Sequence, residues 1–238
     1  MVSFNVLEAC RVEGVTRYFM SSSSDIPSSP SLFPVEPSEI KAHGHVDTQL
    51  LQKLASEELC KNYETDFGIQ TRIGRIHNVY GPMCKYRGSE ANTPARLCRS
   101  VITNTDDVDT WPYLRERESY LYIDDCVEGI FQIMHSEDTA PIELVSDEKV
   151  SLLEMKELAL EFSRGHVSKE HLVDMCSVRQ VDHTAHFVPA VPFAVGLRRT
   201  FDWVHSEVQK EQAVLKRVAR GSINCTPACE LGPWFSDM

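Results

Sequence analysis

The apolar positions near the start of the chain fall at helical spacing. Phe4, Leu7 and Val12 recur over residues 3–14, and the run stops at Gly14. Then VTRYFMSSSS (15–24) reads as a short strand running into serines. From Ile26 to Gly44 proline, serine and glutamate take over, and Pro27, Pro30, Pro34 and Pro37 forbid regular structure, so a loop is predicted. A helix follows over about 47–65, and IQTRIGRIHNVYGP (69–82) reads as a second, buried strand ending in a turn. Two strands separated by a loop and a helix predict a βαβ crossover and a parallel sheet. Ligands of such sheets bind outside the carboxyl ends of the strands, which places the candidate chemistry in SSSSD (21–25) and HNVYGP (77–82).

Past Pro82 the pattern is less regular. A polar loop runs to about 93, a helix lies near 94–103, a loop reaches 117, and SYLYI (119–123) reads as a short strand. A helix at 124–135, a strand at 141–146 and a helix at 151–163 follow; residues 165–194 show no pattern, and a final amphipathic helix covers 196–219. The predicted organisation is an α/β sheet domain over 1–82, a smaller cap lobe over 83–220 and a poorly ordered tail from 221 to 238. Phe201, Trp203 and Val204 on the last helix read as a packing face.

Composition narrows the function classes. With 42% hydrophobic and 25% charged residues the chain is of ordinary globular type, and its net charge of −11, without a long basic run, argues against nucleic acid as a partner. No window is apolar enough for a membrane span, and the amphipathic start does not read as a leader, so a cytosolic protein is expected. Eight cysteines without a CxxC pair fit reduced thiols. Cys225 and Cys229, His183 and His186, and the acidic Asp106-Asp107-Val108-Asp109 are thin as metal sites, and no metal is expected; the sequon at Asn224 means little without a secretory leader.

The helix DTQLLQKLASEELC (47–60) carries Lys53, and the residue four before it, one helical turn away, is Gln49. Serines 22 and 23 could bind a sugar hydroxyl or finish the strand by bonding nearby backbone. His77 and Asn78 could contact a ligand or satisfy loop backbone. Lys53 could bind and tune, or be a solvated helix lysine.

A serine-ended strand, a helix carrying Lys53 and a strand ending in HNVYGP together resemble the extended short-chain dehydrogenase/reductases. The runs SFNVLEACRVEGVTRYF, KLASEELCKNYETDFG, RIGRIHNVYGP, YIDDCVEG and SDEKVSLLEM resemble more closely the plant GDP-mannose 3,5-epimerase family, well over 2–163 and faintly over 164–232. The resemblance implies a Rossmann-type fold, NAD as cofactor, a GDP-sugar as substrate and dimer contacts through the helices flanking Lys53. It implies oxidation at C4 of the sugar, inversion at C3 and C5 by a cysteine–lysine pair, and re-reduction, with a tyrosine four residues before the lysine as base.

Laid on this chain, the tyrosine position falls on Gln49, the cysteine on Asp25 and the acid–base lysine on Asn92. The family's Gln-Thr-Arg falls on Glu116-Arg117-Glu118; of its two later arginines Arg179 remains and the other position is Val181. Lys53, Ser22, Ser23, His77 and Asn78 are retained. The chain begins, by the same resemblance, inside the helix before the family's fifth strand, so a partial Rossmann sheet is expected, without the first four strands and the GxxGxxG turn for NAD pyrophosphate. Two expectations follow: a catalytically impaired family member that binds NAD poorly, or a non-catalytic chain that dimerises with an intact homologue. A third reading is the product of a decaying gene.

Overall fold

The computed structural model describes residues 2–26, 41–42, 45–46, 48–105, 113–165 and 187–219. Arg179, Val181, the paired histidines 183 and 186, the Asp106–Asp109 run, Asn224, Cys225 and Cys229, and the expected tail lie outside them. In chain order the elements are α1 (Val2–Val12), β1 (Arg17–Ser23), β2 (Lys41–Ala42), β3 (His45–Val46), α2 (Thr48–Phe67), β4 (Gln70–Ile76), β5 (Val79–Tyr80), α3 (Thr93–Thr103), β6 (Arg117–Ser119), β7 (Leu121–Tyr122), α4 (Ile123–His135), β8 (Ile142–Leu144), β9 (Lys149–Ser151), α5 (Leu152–Ser163) and α6 (Phe193–Ala219).

The chain divides into two compact units that interleave in sequence. The first holds the described parts of Met1–Val79, Ser119–Asp147 and Gln180–Ala190; the second holds those of Tyr80–Glu118, Glu148–Arg179 and Val191–Met238. A single cut at residue 82 therefore does not describe the contacts. The reason is hydrogen bonding: β4 pairs on one side with β1 and needs a partner on the other, and β8, some 70 residues later, supplies it.

In the first unit β1, β4 and β8 form a parallel sheet in the order β1-β4-β8, with Arg17 opposite Gln70, Ser23 opposite Ile76 and Gly74 opposite Ile142. The alternation of strand side chains splits the sheet into two faces. Met20 and Ile73 join Leu7 and Cys10 of α1, Cys60 and Tyr63 of α2, and Ile69 in one buried cluster. Phe19, Ile76 and Leu144 pack instead with Cys126, Ile130 and Ile133 of α4 and with Phe187. Leu7, Ile73 and Leu144 are essentially sealed from water, each contributing roughly 1.5–3 kcal/mol by burial. Gly14 and Gly68 follow α1 and α2 at φ +69° and +71°, the left-handed backbone that stops a helix without a Cβ penalty.

Several local expectations change; SYLYI (119–123), expected as one strand, divides into β6 and β7 on either side of Tyr120, and Ile123 already belongs to α4. The strand expected through 69–82 breaks after Ile76, because Asn78 turns left-handed at φ 37° and restarts the chain as β5. The loop expected to run through Gly44 contains an antiparallel ribbon, Lys41 opposite Val46 and Ala42 opposite His45.

The second unit packs α3, α5 and α6 together. Leu97, Met155, Ala159, Leu197, Phe201, Val204 and Val208 are buried, and the Trp203 ring meets Tyr86 edge-on at 5.2 Å, so the last helix presents the packing face its spacing predicts. Ser151 and Glu154 start α5 as a capping box, each side chain bonding the other residue's backbone N–H.

Candidate functional site

The first unit gathers a polar constellation at the carboxyl end of β1. Lys53 lies one turn before Glu57 on α2, and the shared face of these two residues meets the strand at successive points. The Lys53 ammonium donates to the carbonyl of Ser21 at 2.6 Å. Lys53 is thus neither a freely solvated lysine nor paired to a phenol; Gln49, one turn earlier, is exposed, and its amide has no accessible ionisation.

Ser22 takes a role that neither sequence reading offered. Its hydroxyl donates to Glu57 Oε1 at 2.5 Å, and Arg75 of β4 closes on the same carboxylate through Nε at 3.1 Å and Nη2 at 2.9 Å. Glu57 is fully buried and the Arg75 side chain is 9% exposed, so the pair sits beneath the strand end and holds β1, β4 and α2 in one geometry. Ser22 supports the site from inside and has no hydroxyl to offer a ligand. Neither Glu57 nor Arg75 was a sequence candidate. The available signal was a carboxylate on the Leu50, Leu54, Cys60 face of the helix and an arginine inside a buried strand run.

On the outer side Ser23 donates to Asp25 Oδ2 at 3.1 Å and accepts from the Asp25 backbone N–H at 3.3 Å. Asp25 is exposed, a carboxylate where the family resemblance puts a cysteine. Next to it Ser24, part of the predicted SSSSD edge but given no role of its own there, lies 2.8 Å from His77 Nδ1. His77 is fixed through its backbone N–H to the Leu144 carbonyl at 3.3 Å. Asn78 reaches His77 Nε2 at 3.0 Å and the Ser119 carbonyl at 3.2 Å through its side-chain nitrogen, while its own carbonyl accepts from Leu121 N–H at 3.2 Å. The Asn78 side chain thus satisfies a strand carbonyl, that of Ser119 in β6, and His77 brings an imidazole beside the serine strand.

The remaining candidates belong to the second unit. Asn92 is the residue before α3, with its backbone N–H on the Lys85 carbonyl at 2.8 Å. Glu116 is exposed, and its backbone N–H meets the Tyr113 carbonyl at 3.0 Å. Arg117 is held by Glu154 at 2.6 Å and by the Lys149 carbonyl at 2.6 Å, tied into the start of α5. The dominant polar cluster of this unit was not predicted: Glu211 of α6 receives Tyr86, Arg87 and Arg99. Burial pushes the Glu211 carboxyl up, but the hydrogen bonds from Arg87, Tyr86 and Arg99 outweigh it and hold it below the usual carboxylate value. Burial, with Glu211 adding to it, pushes the Tyr86 phenol up to about 12.

Burial, assisted by Glu57 and Glu64, raises the Cys60 thiol to about 12, and burial also raises Cys84, Cys98 and Cys126. Among the described residues no group of histidine, cysteine and carboxylate side chains could hold a metal, and no described helix is long and apolar enough to cross a membrane. For a dinucleotide the fit is partial. Lys53 and the strand end could hold a ribose, but none of the eleven glycines of the sequence stands in the GxxGxxG spacing that would cradle the pyrophosphate.

Residues 1–145 match the NAD dependent epimerase/dehydratase family. Over 233 residues the chain is 36% identical to GDP-mannose 3,5-epimerase of Arabidopsis thaliana, an alignment covering 90% of this chain and 60% of that protein. It is likewise 36% identical to GDP-mannose 3,5-epimerase 1 of Oryza sativa subsp. indica over 231 residues, 89% of this chain and 59% of that one. Among solved structures, UDP-glucose 4-epimerase from Thermotoga maritima, crystallised with UDP-glucose, superposes with a TM-score of 0.65 at 19% identity, covering 87% of this chain and 69% of that one, a likeness of fold. The chain thus spans about 60% of the length of the curated relatives it matches. With a Rossmann-like parallel sheet, a lysine-bearing crossover helix and this extent of sequence identity, the chain belongs to the NAD dependent epimerase/dehydratase family.

Proposed function

We propose that this chain is a nucleotide-sugar-binding scaffold of the GDP-mannose 3,5-epimerase type that holds a GDP-hexose without turning it over. The observation that carries this reading is Gln49 one turn before Lys53 on α2. A hydroxyl can be oxidised only if a neighbouring group takes its proton, and an amide cannot take and return it at neutral pH. Asp25 and Asn92, at the positions where the family resemblance puts the epimerising cysteine and lysine, support the same conclusion: a carboxylate can act as a base, but Asn92 provides no titratable partner. The ligand's sugar is assigned to the Ser23–Asp25 end of β1, with His77 and Asn78 beside it. Glu116, Arg117 and Arg179 stand at positions where the family resemblance puts substrate contacts. NAD would be the cofactor of an active relative; here Lys53 is assigned to its ribose. The five described free cysteines support a reducing, cytosolic setting.

The test is isotope exchange. The chain is incubated with GDP-mannose and NAD in D2O, and deuterium at C3 and C5 is followed by NMR beside a titration of GDP-mannose. Saturable binding without exchange is expected. Deuterium incorporation or a new GDP-hexose would overturn the reading.

A second reading, association with another copy or an intact homologue, is favoured by exposed apolar side chains on the paired helices α1 and α2: Val2, Val6 and Phe4 on the first, Leu51 and Phe67 on the second. Light scattering that gives a clean monomer at working concentration, alone and mixed with a full-length family member, would remove it.

A further inference from the structure

Ser24, His77 and Asn78 form a chain whose hydrogens can be placed. The side-chain nitrogen of Asn78 lies 3.2 Å from the carbonyl oxygen of Ser119, which can only accept, so this contact fixes which end of the amide faces it. The same nitrogen is 3.0 Å from His77 Nε2. Nε2 must then be the lone-pair nitrogen, and the neutral imidazole carries its proton on Nδ1. Nδ1–H donates to Ser24 Oγ at 2.8 Å. Ser24 accepts there, so its own proton points elsewhere, and among the described residues the bond to His77 is the only one its hydroxyl makes. Neither end of the chain is loose: the Leu144 carbonyl holds the His77 backbone, and Leu121 N–H holds the Asn78 carbonyl at the left-handed turn.

This polarity excludes one use and suggests another. His77 cannot take the Ser24 proton while it donates its own to the same oxygen, so the pair is no activated nucleophile. A hydroxyl that accepts from one side becomes a better donor on the other. We propose that Ser24, held by His77 in the Nδ1–H tautomer, is a ligand-binding hydroxyl of this site that donates to an oxygen of the bound hexose, and that Asn78 is the residue positioning the imidazole. The inference rests on the nucleotide-sugar reading above. It differs from the roles of its neighbours: Ser22 is spent on Glu57 and Ser23 on Asp25, whereas the Ser24 hydroxyl accepts from His77 and keeps its proton to give.

Two measurements separate this inference from the reading beneath it. Long-range 15N–1H NMR of the free chain reports the His77 tautomer with no ligand present; Nδ1–H is expected, and Nε2–H would overturn the proposal whatever the chain binds. Calorimetry then compares GDP-mannose with GDP. Ser24→Ala is expected to weaken GDP-mannose about 2- to 12-fold, the worth of one net hydrogen bond, and to leave GDP unchanged, while Ser24→Thr, which keeps the hydroxyl, restores the affinity. Asn78→Asp, which turns the partner of Nε2 into an acceptor, is expected to move the proton to Nε2 and to weaken GDP-mannose without adding to Ser24→Ala in the double variant. Wild-type binding undiminished in Ser24→Ala removes the role of Ser24 alone. Failure of the wild-type chain to bind GDP-mannose removes the nucleotide-sugar reading and the ligand role of Ser24 with it.

Discussion

Replacing Glu57 by glutamine is the most direct test of how the strand end is held. The substitution keeps the volume and removes the charge. Glu57 is fully buried, and Arg75, 9% exposed, approaches it at 2.9 and 3.1 Å. A glutamine oxygen can still accept from Ser22 or Arg75, but its NH2 then faces a guanidinium N–H, donor against donor. At an effective dielectric of about 20, unit charges about 4 Å apart attract by roughly 4 kcal/mol, and removing one partner of a buried pair costs about 3–5 kcal/mol because the other charge is stranded. A loss of about 3 kcal/mol is therefore expected, toward the low end because one acceptor remains. With a urea slope of about 2 kcal/mol/M, the unfolding midpoint falls by roughly 1.5 M. The double variant Glu57→Met, Arg75→Met removes both charges into an apolar setting and is expected to recover to within about 1 kcal/mol of wild type. A single-variant loss below about 1 kcal/mol, with the double equal to the sum of the singles, would refute the reasoning: water would then be screening the pair and Ser22 would not be anchored by it.

Other outcomes follow from the same geometry. The Glu211 carboxyl, held below its ordinary value of 4.5, contributes stability that is complete above that value and is lost as pH falls through the lower folded pKa; urea midpoints measured from pH 5.5 down to 3.5 should fall more steeply in wild type than in Glu211→Gln, and parallel curves would contradict this. Gly129→Ala places a methyl 2.6 Å from Leu144 Cδ2 and 2.9 Å from Phe187 Cε2, so a loss of about 1–3 kcal/mol is expected in spite of alanine's better helix propensity, and a stabilised variant would show that α4 can move off the sheet. Ser151→Ala breaks the capping box of α5 and should cost about 0.5–2 kcal/mol by chemical denaturation, with no change if Glu154 alone satisfies the helix start.

The elements and the parallel sheet were legible because they depend on local pattern: helical spacing in α1 and α6, apolar runs in β1 and β4, and a crossover helix between them. Gly14 marked the end of α1 through its left-handed backbone, and the Lys53–Gln49 spacing needed only the pitch of a helix. The position of β8 was not legible, since a three-residue strand carries too little pattern to say which edge it joins; the unpaired N–H and C=O groups of β4 decide that. The pairing of Glu57 with Arg75 was hidden for a related reason. Each charge looks anomalous in its own apolar run, and only the packing of α2 against the sheet brings them within 3 Å and turns two costly burials into one satisfied cluster. The serines show the same division: the sequence determined that four successive hydroxyls stand at the carboxyl end of a strand, but pleat and neighbours decided that Ser22 turns inward to Glu57, Ser23 bonds Asp25 and Ser24 bonds His77. Side-chain type is written in the chain, whereas the direction in which a hydroxyl proton points depends on the acceptors that tertiary packing places around it.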